Sequence, residues 1–494
     1  MKIDILLYID DHISEKDLNF NGIYLPGKLA DELMAKDNID NIYYCIPKNY
    51  KGDLINKDGC FNRNDKDDIT LWKQIFNQTK SDHIVKIYCD SPFLDTEIIK
   101  DMMDLHIKYL AEFTYSENLP EGYSCEIISK GLIETIPDSD ERMLPLRDII
   151  RSNINQFDVE LYYKAPDIRD KRISFRSGNL RDKKIMQNIY TRLDKIPKYS
   201  ELSQTIDDNP DVLYIGPSYI EIELTGRCEL DCIFCYRNTI RSPRWDMDMI
   251  LFTKILKDME SFQLPYSVCF GGSGEPMMHS NFYEILDLAL KQNLIENIII
   301  ETNGIYADDN FKNVLLNHRD DRIKIIFNIN GMDDETYNDL HGADCFQRVY
   351  NNITSIKEII HEDNSIYIQI MKINETEAFL DRYYDYWENH KIPIILQKQN
   401  TYLGKIEDKR YSDLSPIERV PCWHLQRDLY ILSDGRVIFC KQDIDGDSIK
   451  GNIQEESIYD IWTNSKAFYI QDYMKNYTTN PDCKSCDEWY TFNL

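Results

Sequence analysis

Short apolar runs bounded by polar turns recur along the chain. Between them lie stretches whose apolar positions repeat every three to four residues. The first pattern predicts buried strands and the second amphipathic helices. Near the N-terminus, residues 3–9, 42–46 and 83–89 read as strands, and 95–110 reads as a helix presenting Ile98, Ile99, Met102, Met103 and Leu110 on one face. A polar stretch over 198–213 reads as a linker. The alternation then resumes. Strands are predicted at 219–224, 266–270, 298–301, 323–329 and 365–371, with helices at 249–262 and 282–291. Repeated strand–helix units of this kind predict a parallel sheet, either a barrel or part of one, with its active site at the C-terminal strand ends. The last segment has hairpin-like runs at 429–432 and 435–440. The resulting domains are 1–197, 214–400 and 401–494, joined by the linker, and all are α/β in character.

Length and composition sharpen this outline. The chain has 494 residues, enough for about three domains, and 42% apolar residues, enough for buried cores. Its net charge of −28 argues against non-specific binding to nucleic acid or to anionic membrane, which want a basic face. No apolar run approaches the roughly 18 residues of a membrane helix. The apolar N-terminal run ends at Asp10 and Asp11, so it reads as a buried strand rather than a signal peptide, and the cytoplasm is the expected location.

Thirteen cysteines are present. An odd number in a long chain does not suggest a disulfide scaffold. Six of them (Cys45, Cys60, Cys89, Cys125, Cys269 and Cys345) are scattered and read as small buried hydrophobes. The other seven form two sets. Cys228, Cys232 and Cys235 follow a predicted strand with the spacing C-x3-C-x2-C. Three thiolates on one loop can hold three irons of a [4Fe–4S] cluster and leave one iron open to a small molecule. Zinc would want a fourth ligand, and none lies inside this loop. Cys422, Cys440, Cys483 and Cys486 form the second set. Four thiolates suit either a saturated [4Fe–4S] cluster or a zinc ribbon, and His424 and His279 are alternative ligands.

The segment Cys228-Glu229-Leu230-Asp231-Cys232-Ile233-Phe234-Cys235 resembles the cluster loop of the radical SAM superfamily. The resemblance implies that the open iron chelates S-adenosylmethionine and that Phe234 packs near its adenine. Gly271-Gly272-Ser273-Gly274-Glu275-Pro276 resembles the family's GGEP loop, implying that Gly272, Ser273, Gly274 and Glu275 cradle the methionine moiety and its ammonium. Glu301-Thr302-Asn303-Gly304 ends the third strand as in the family. Asn328-Ile329-Asn330-Gly331 ends the fourth, and Asn330 stands where relatives carry an aspartate that could have served as a base. Thr302, Asn328 and Gln369 are the implied cofactor contacts. Met371 and Asn374-Glu375 lie in the same region. The implied fold is a partial (β/α)6 TIM-like barrel.

Gly435-x4-Cys440, together with Gly451-Asn452-Ile453 and Ile461-Trp462, resembles the SPASM extension. With four cysteines it matches the shorter twitch form, which implies one auxiliary [4Fe–4S] cluster.

Residues 1–197 resemble cytidylyltransferase-like proteins of surface-polysaccharide synthesis, which have a Rossmann-like nucleotidyltransferase-type fold. The matching elements are Leu25-Pro26-Gly27-Lys28, Asp90-Ser91-Pro92-Phe93-Leu94-Asp95 and Pro120 through Glu126. Gly22 and Tyr24 depart from the family's nucleotide loop, and Arg176 stands where a second metal-binding aspartate is expected. A cation there opposes Mg²⁺, so the domain is expected to bind a nucleotide sugar or a partner without transferring a nucleotide. The combination of domains resembles the spiro-SPASM family.

The expected function is radical oxidation or epimerisation of a small polar substrate, a sugar or nucleotide sugar, driven by a one-electron reductant such as flavodoxin or ferredoxin. Epimerisation would need a hydrogen donor, for which Cys269 and Cys345 are candidates. Two alternatives stand beside this reading: modification of a peptide or protein, and a non-catalytic iron–sulfur binding protein.

Overall fold

The computed structural model describes residues 1–36, 39–63, 69–137, 144–241, 244–360, 365–412, 415–477 and 480–491. The chain divides into two compact units, Met1–Ile215 and Gly216–Leu494.

The first unit is built on seven strands: β1 (Ile3–Tyr8), β2 (Asn41–Pro47), β3 (Cys60–Arg63), β4 (His83–Tyr88), β5 (Phe113–Ser116), β6 (Glu126–Ser129) and β7 (Val159–Tyr162). Their order in the sheet is β3-β2-β1-β4-β6-β5-β7. β1 pairs in parallel with β2 and β4, and all six of its residues are buried, as expected of a central parallel strand covered on both faces. β6 runs antiparallel to β4 and β5. The fold is thus Rossmann-like with one reversed strand.

Helix α1 (Thr96–Tyr109) follows β4. Asp95 caps it by accepting from the Glu97 amide at 3.1 Å. Ile98, Ile99, Met102 and Met103 are buried as expected, but Leu110 is not on that face. It adopts the left-handed conformation that ends the helix, and it is 83% exposed. Residues 198–213 are also not a linker. They form helix α2 (Tyr199–Asp208) and a single turn over Pro210–Leu213. Tyr199, Leu202 and Ile206 fall on one buried face, and the Tyr199 hydroxyl donates to the Pro166 carbonyl at 2.6 Å. The chain divides after Ile215 instead.

The second unit carries β8 (Tyr219–Glu223), β9 (Tyr266–Gly271), β10 (Ile295–Thr302), β11 (Ile323–Asn328), β12 (Ile366–Lys372), β13 (Ile394–Lys398), β14 (Asp428–Ile431), β15 (Arg436–Ile438) and β16 (Ile449–Asn452). All nine form one open sheet ordered β13-β12-β11-β10-β9-β8-β14-β15-β16. β8 through β13 are the six parallel strands of the expected partial barrel. β14 adds to β8 in parallel, and β15 and β16 follow antiparallel. The C-terminal segment is therefore continuous with the barrel sheet. Along β8 the sequence Tyr-Ile-Glu-Ile-Glu alternates between faces. Tyr219 packs with Cys269, Ile299, Ile326 and Tyr430 in one core on the inner face. Helix α3 (Met249–Met259) covers the outside and, with β16, receives helix α5 (Ile458–Tyr473). Helix α4 (Asp334–His341) follows β11.

Candidate functional site

The three-cysteine loop leaves the C-terminal end of β8, where the parallel-sheet rule puts a site. Arg227 anchors its start. The guanidinium binds Asp246 at 2.6 Å and donates to the Met278 carbonyl at 2.6 Å. Each cysteine sulfur is approached by an N–H. The Arg237 amide donates to Cys235 Sγ at 3.4 Å, His341 Nδ1 lies 3.1 Å from Cys232 Sγ, and Asn303 Nδ2 lies 3.9 Å from Cys228 Sγ. Such donors suit thiolates better than thiols. Burial, reinforced by Glu229 and Glu275, pushes the Cys228 thiol up to about 12, so deprotonation waits on a metal's positive charge. The donor set therefore fits a metal cluster.

The glycine loop after β9 lies directly against the cysteine loop. A Cβ on Gly274 would sit 2.1 Å from the Thr225 carbonyl oxygen and 2.7 Å from that of Arg227, and Gly272 has φ +96°. Only glycine allows this approach. Ser273 donates its amide to Glu223 at 3.2 Å, and its hydroxyl binds the same carboxylate. Glu275 is 3% exposed. Its oxygens accept from Thr302 Oγ1 (2.9 Å), the Asn303 amide (2.8 Å) and the Met277 amide (3.1 Å). Burial pushes its carboxyl up to about 7 against these hydrogen bonds. The structure thus uses Glu275 and Thr302 to brace the glycine loop against the end of β10. Asn303, absent from the expected contacts, reaches the cysteine loop through Glu229 at 3.2 Å.

Asn328 and Gln369 are register partners on β11 and β12, and their side-chain amides hydrogen-bond each other. Asn330 does not face open space. Its Oδ1 accepts from the Met371 amide at 2.7 Å, and its own amide donates to His341 Nε2 at 3.0 Å. Its place in the pattern is structural. Phe234 packs edge-on to His341, with ring centroids 5.6 Å apart. Glu375 is paired with Lys409 at 2.6 Å.

Cys422, Cys440, Cys483 and Cys486 all line one cavity of about 440 Å³. Burial pushes Cys440 and Cys483 up to about 12. Among the described residues, no three His, Cys, Asp or Glu side chains converge as ligands of a single metal ion. Four cysteines around one cavity match the ligand number of a saturated [4Fe–4S] cluster. Neither histidine is free to ligate. His424 lies 2.6 Å from Asp428 and 3.1 Å from the Glu488 carbonyl, and His279 contacts the Met247 carbonyl at 2.9 Å and the Asn281 amide at 3.0 Å. The same cavity is lined by Glu301, Ile326 and Gln369 of the parallel sheet and by Lys398, Tyr402 and Lys441.

Three inward carboxylates on β8 and β10 were not legible as site residues. Glu221 pairs with Lys441 at 2.8 Å, and Glu223 pairs with Arg244 at 2.9 Å. Glu301 has no hydrogen-bonded partner among the described residues. Burial pushes its carboxyl up, opposed by Lys441 and reinforced by Glu221. The glutamates are signalled by charge on the inner face of an alternating strand, but Lys441 and Ser433, which meet Glu221 and Glu223, lie 220 and 210 positions away. Cys269 is fully buried, and Cys345 Sγ lies 3.8 Å from the Tyr337 hydroxyl.

In the first unit, the quoted elements gather beyond the ends of β1 and β4. Lys28 Nζ reaches the Pro92 carbonyl at 3.4 Å, and Gly122 packs on the Phe175 carbonyl. Arg176 binds Asp90 at 2.7 Å and Asp10 at 2.7 Å, with its guanidinium 3.8 Å from the Tyr88 ring centroid. An arginine thus occupies the space between two carboxylates, one of which, Asp10, sequence reading missed.

A sheet with a thiolate loop and a glycine cradle at its strand ends, and a second cysteine set beside it, defines an iron–sulfur protein with a small-molecule cofactor. Comparison with known families makes this specific. Residues 222–383 match the radical SAM superfamily and residues 422–487 match the SPASM iron–sulfur cluster-binding domain. The chain therefore carries a radical SAM domain followed by a SPASM domain. That pair implies S-adenosylmethionine and two [4Fe–4S] clusters. An uncharacterized protein of Treponema pallidum is 24% identical over 70% of this chain and 97% of its own length. Among solved structures, BtrN in complex with AdoMet and 2-DOIA is 17% identical over 56% of this chain and 98% of that one, with a TM-score of 0.39. A cytidylyltransferase from Leptospira borgpetersenii is 19% identical over 43% of this chain and 96% of that one, with a TM-score of 0.36. Among the described residues, no helix is long and apolar enough to cross a membrane.

Proposed function

We propose that this radical SAM protein removes a hydrogen atom from a small polar substrate, a sugar or nucleotide sugar, and completes an oxidation or an epimerisation. The observation that carries the reading is the shared cavity. Glu301 and Gln369 of the barrel strands and the four C-terminal cysteines line the same space. A substrate held there lies beside the second set of cysteines and against the strand ends that carry Glu301 and Gln369.

When bound, the cofactors supply reductive formation of a hydrogen-abstracting radical and a nearby one-electron acceptor. The chain's own residues do the rest. Cys228, Cys232 and Cys235 hold three irons and leave the fourth for S-adenosylmethionine. The glycine loop lets the backbone approach that cofactor, and the Asn328–Gln369 pair offers amide groups to its nucleoside. Cys422, Cys440, Cys483 and Cys486 saturate the second cluster, so it does not bind substrate. Glu301, its carboxyl raised by burial and without a hydrogen-bond partner among the described residues, takes the proton of a substrate hydroxyl. Lys441, held by Glu221, fixes the charge balance beside it. Flavodoxin or ferredoxin provides the electron. The first unit serves ligand or partner binding, because Arg176 fills the place a divalent cation would need.

The test is anaerobic 5′-deoxyadenosine formation with a panel of nucleotide sugars and small peptides. Stimulation by a nucleotide sugar, with product loss but retained cofactor cleavage in Glu301→Gln, is expected. Stimulation by peptides alone would overturn the substrate assignment.

A further inference from the structure

The imidazole of His341 sits at the C-terminus of α4, 2% exposed. It stacks on Tyr337 at 4.2 Å with planes 22° apart, and Phe234 meets it edge-on. The ring is therefore fixed in plane and tilt. Its Nε2 accepts the Asn330 amide N–H at 3.0 Å. A nitrogen that accepts carries no proton, so in the neutral ring the proton is on Nδ1. Nδ1 lies 3.1 Å from Cys232 Sγ. The tautomer that the backbone imposes thus aims an N–H at one cluster-loop sulfur. The end of the same helix also clasps the loop itself: the Leu340 and His341 carbonyls accept the Ile233 and Asp231 amides, both at 3.1 Å.

A neutral thiol is a weak acceptor, whereas a metal-bound thiolate is a good one. Hydrogen bonds to cluster sulfurs stabilise the more negatively charged, reduced state and raise the reduction potential. We propose that His341 is a positioning residue that sets the reduction potential of the cluster held by the Cys228 loop, through an N–H···S bond from Nδ1 to Cys232. The inference rests on the reading of Cys232 as a cluster ligand. It adds a determinant 109 residues away in sequence, outside every motif quoted for the cofactor. It concerns how readily the cluster accepts its electron, whatever the substrate.

The experiment is a potentiometric titration of the reconstituted full-length protein followed by EPR, on wild type, His341→Phe and His341→Gln. Phe keeps the aromatic stack and removes the donor. Gln keeps an N–H donor and a carbonyl acceptor of similar reach. The midpoint of the signal that responds to S-adenosylmethionine should move to more negative values in the Phe variant and return toward wild type in the Gln variant. An unchanged midpoint in a Phe variant with full iron content would overturn the proposal. If the Phe variant does not hold its iron, the decision rests on wild-type protein carrying isotope-labelled histidine. Pulsed EPR of the S-adenosylmethionine-responsive signal should then detect a coupled histidine nitrogen, and its absence refutes the bond. Failure of the underlying reading looks different. A wild-type protein with no S-adenosylmethionine-responsive EPR signal has no such cluster at the Cys228 loop, whatever His341 does.

Discussion

Replacing Arg176 by Met should destabilise the first unit by several kcal/mol, and should do so through Asp90. Asp90 is 1% exposed, and Arg176 binds its Oδ1 through Nε at 3.0 Å and Nη2 at 2.7 Å. Its other oxygen accepts only the Gly178 amide at 3.2 Å among the hydrogen bonds of the described residues. Without the guanidinium, a buried carboxylate is left with no cation, a change that costs about 3–5 kcal/mol. Loss of the contact with Tyr88 adds to this, though not additively. For a unit of this size, each kcal/mol lowers the midpoint by about 2–4 °C, so the first unit's transition should fall by roughly 6–20 °C. The assay is scanning calorimetry of the full chain, wild type against variant. Adding Asp90→Asn to Arg176→Met should recover part of the loss, with a coupling above about 1 kcal/mol. Asp10 and Asp90, freed of the arginine that spans them, should also acquire affinity for Mg²⁺. Millimolar Mg²⁺ should therefore raise the variant's midpoint and leave wild type unchanged. A fall of under about 1 kcal/mol, the worth of an exposed pair, with no Mg²⁺ effect, would refute the claim that Arg176 replaces a cation.

Three further outcomes are expected. Cys483→Ala with Cys486→Ala should remove about four of roughly eight irons per chain, spare S-adenosylmethionine binding and cut oxidised product, measured after circular dichroism has shown the variant folded. Gly274→Ala forces a methyl group to within 2.1 Å of the Thr225 carbonyl oxygen. It should cost about 1–3 kcal/mol and weaken S-adenosylmethionine binding in equilibrium dialysis more than it lowers iron content. Burial pushes the Asp182 carboxyl up to about 7. Its contribution is thus fully present below the ordinary aspartate range and lost as pH rises through about 7. Asp182→Asn should be more stable than wild type at pH 8, with the difference vanishing near pH 4, as read by urea unfolding at each pH.

The strands and the cysteine loop were legible because their signals are local. The alternation of residues 219–223 and the spacing of Cys228, Cys232 and Cys235 are each contained in a few positions. The division between units falls after Ile215 and not within 198–213 for a physical reason. Residues 198–213 are polar by composition, yet Tyr199, Leu202 and Ile206 sit at helical spacing and are enough to bury one face of α2. The edge strand β13 has only three apolar residues in a row, Ile394 to Leu396, before Gln397 and Lys398, and it was missed. The site's second layer was out of reach because its contacts are long-range. Arg176 meets Asp10, His341 meets Cys232, and Lys441 meets Glu221 across 220 positions. Local pattern carries no information about such pairings. Arg176 was still readable as an oddity, since a cation stood where a carboxylate was expected.

The parallel pairing of β14 with β8 has a consequence for the modularity of this protein. A domain attached by a flexible tether can be exchanged or lost, and the remaining body stays closed. Here the C-terminal segment supplies the strand that satisfies one edge of the barrel sheet, together with Lys441 and Ser433, which engage the inward glutamates of that edge. A chain cut before β14 would present the unpaired backbone of β8, a template for edge-to-edge aggregation, with Glu221 buried and without its cation. Any replacement extension must therefore bring its own strand in the same register and its own positive charge. The junction between the two modules is a shared sheet, and both fall within one compact unit, Gly216–Leu494.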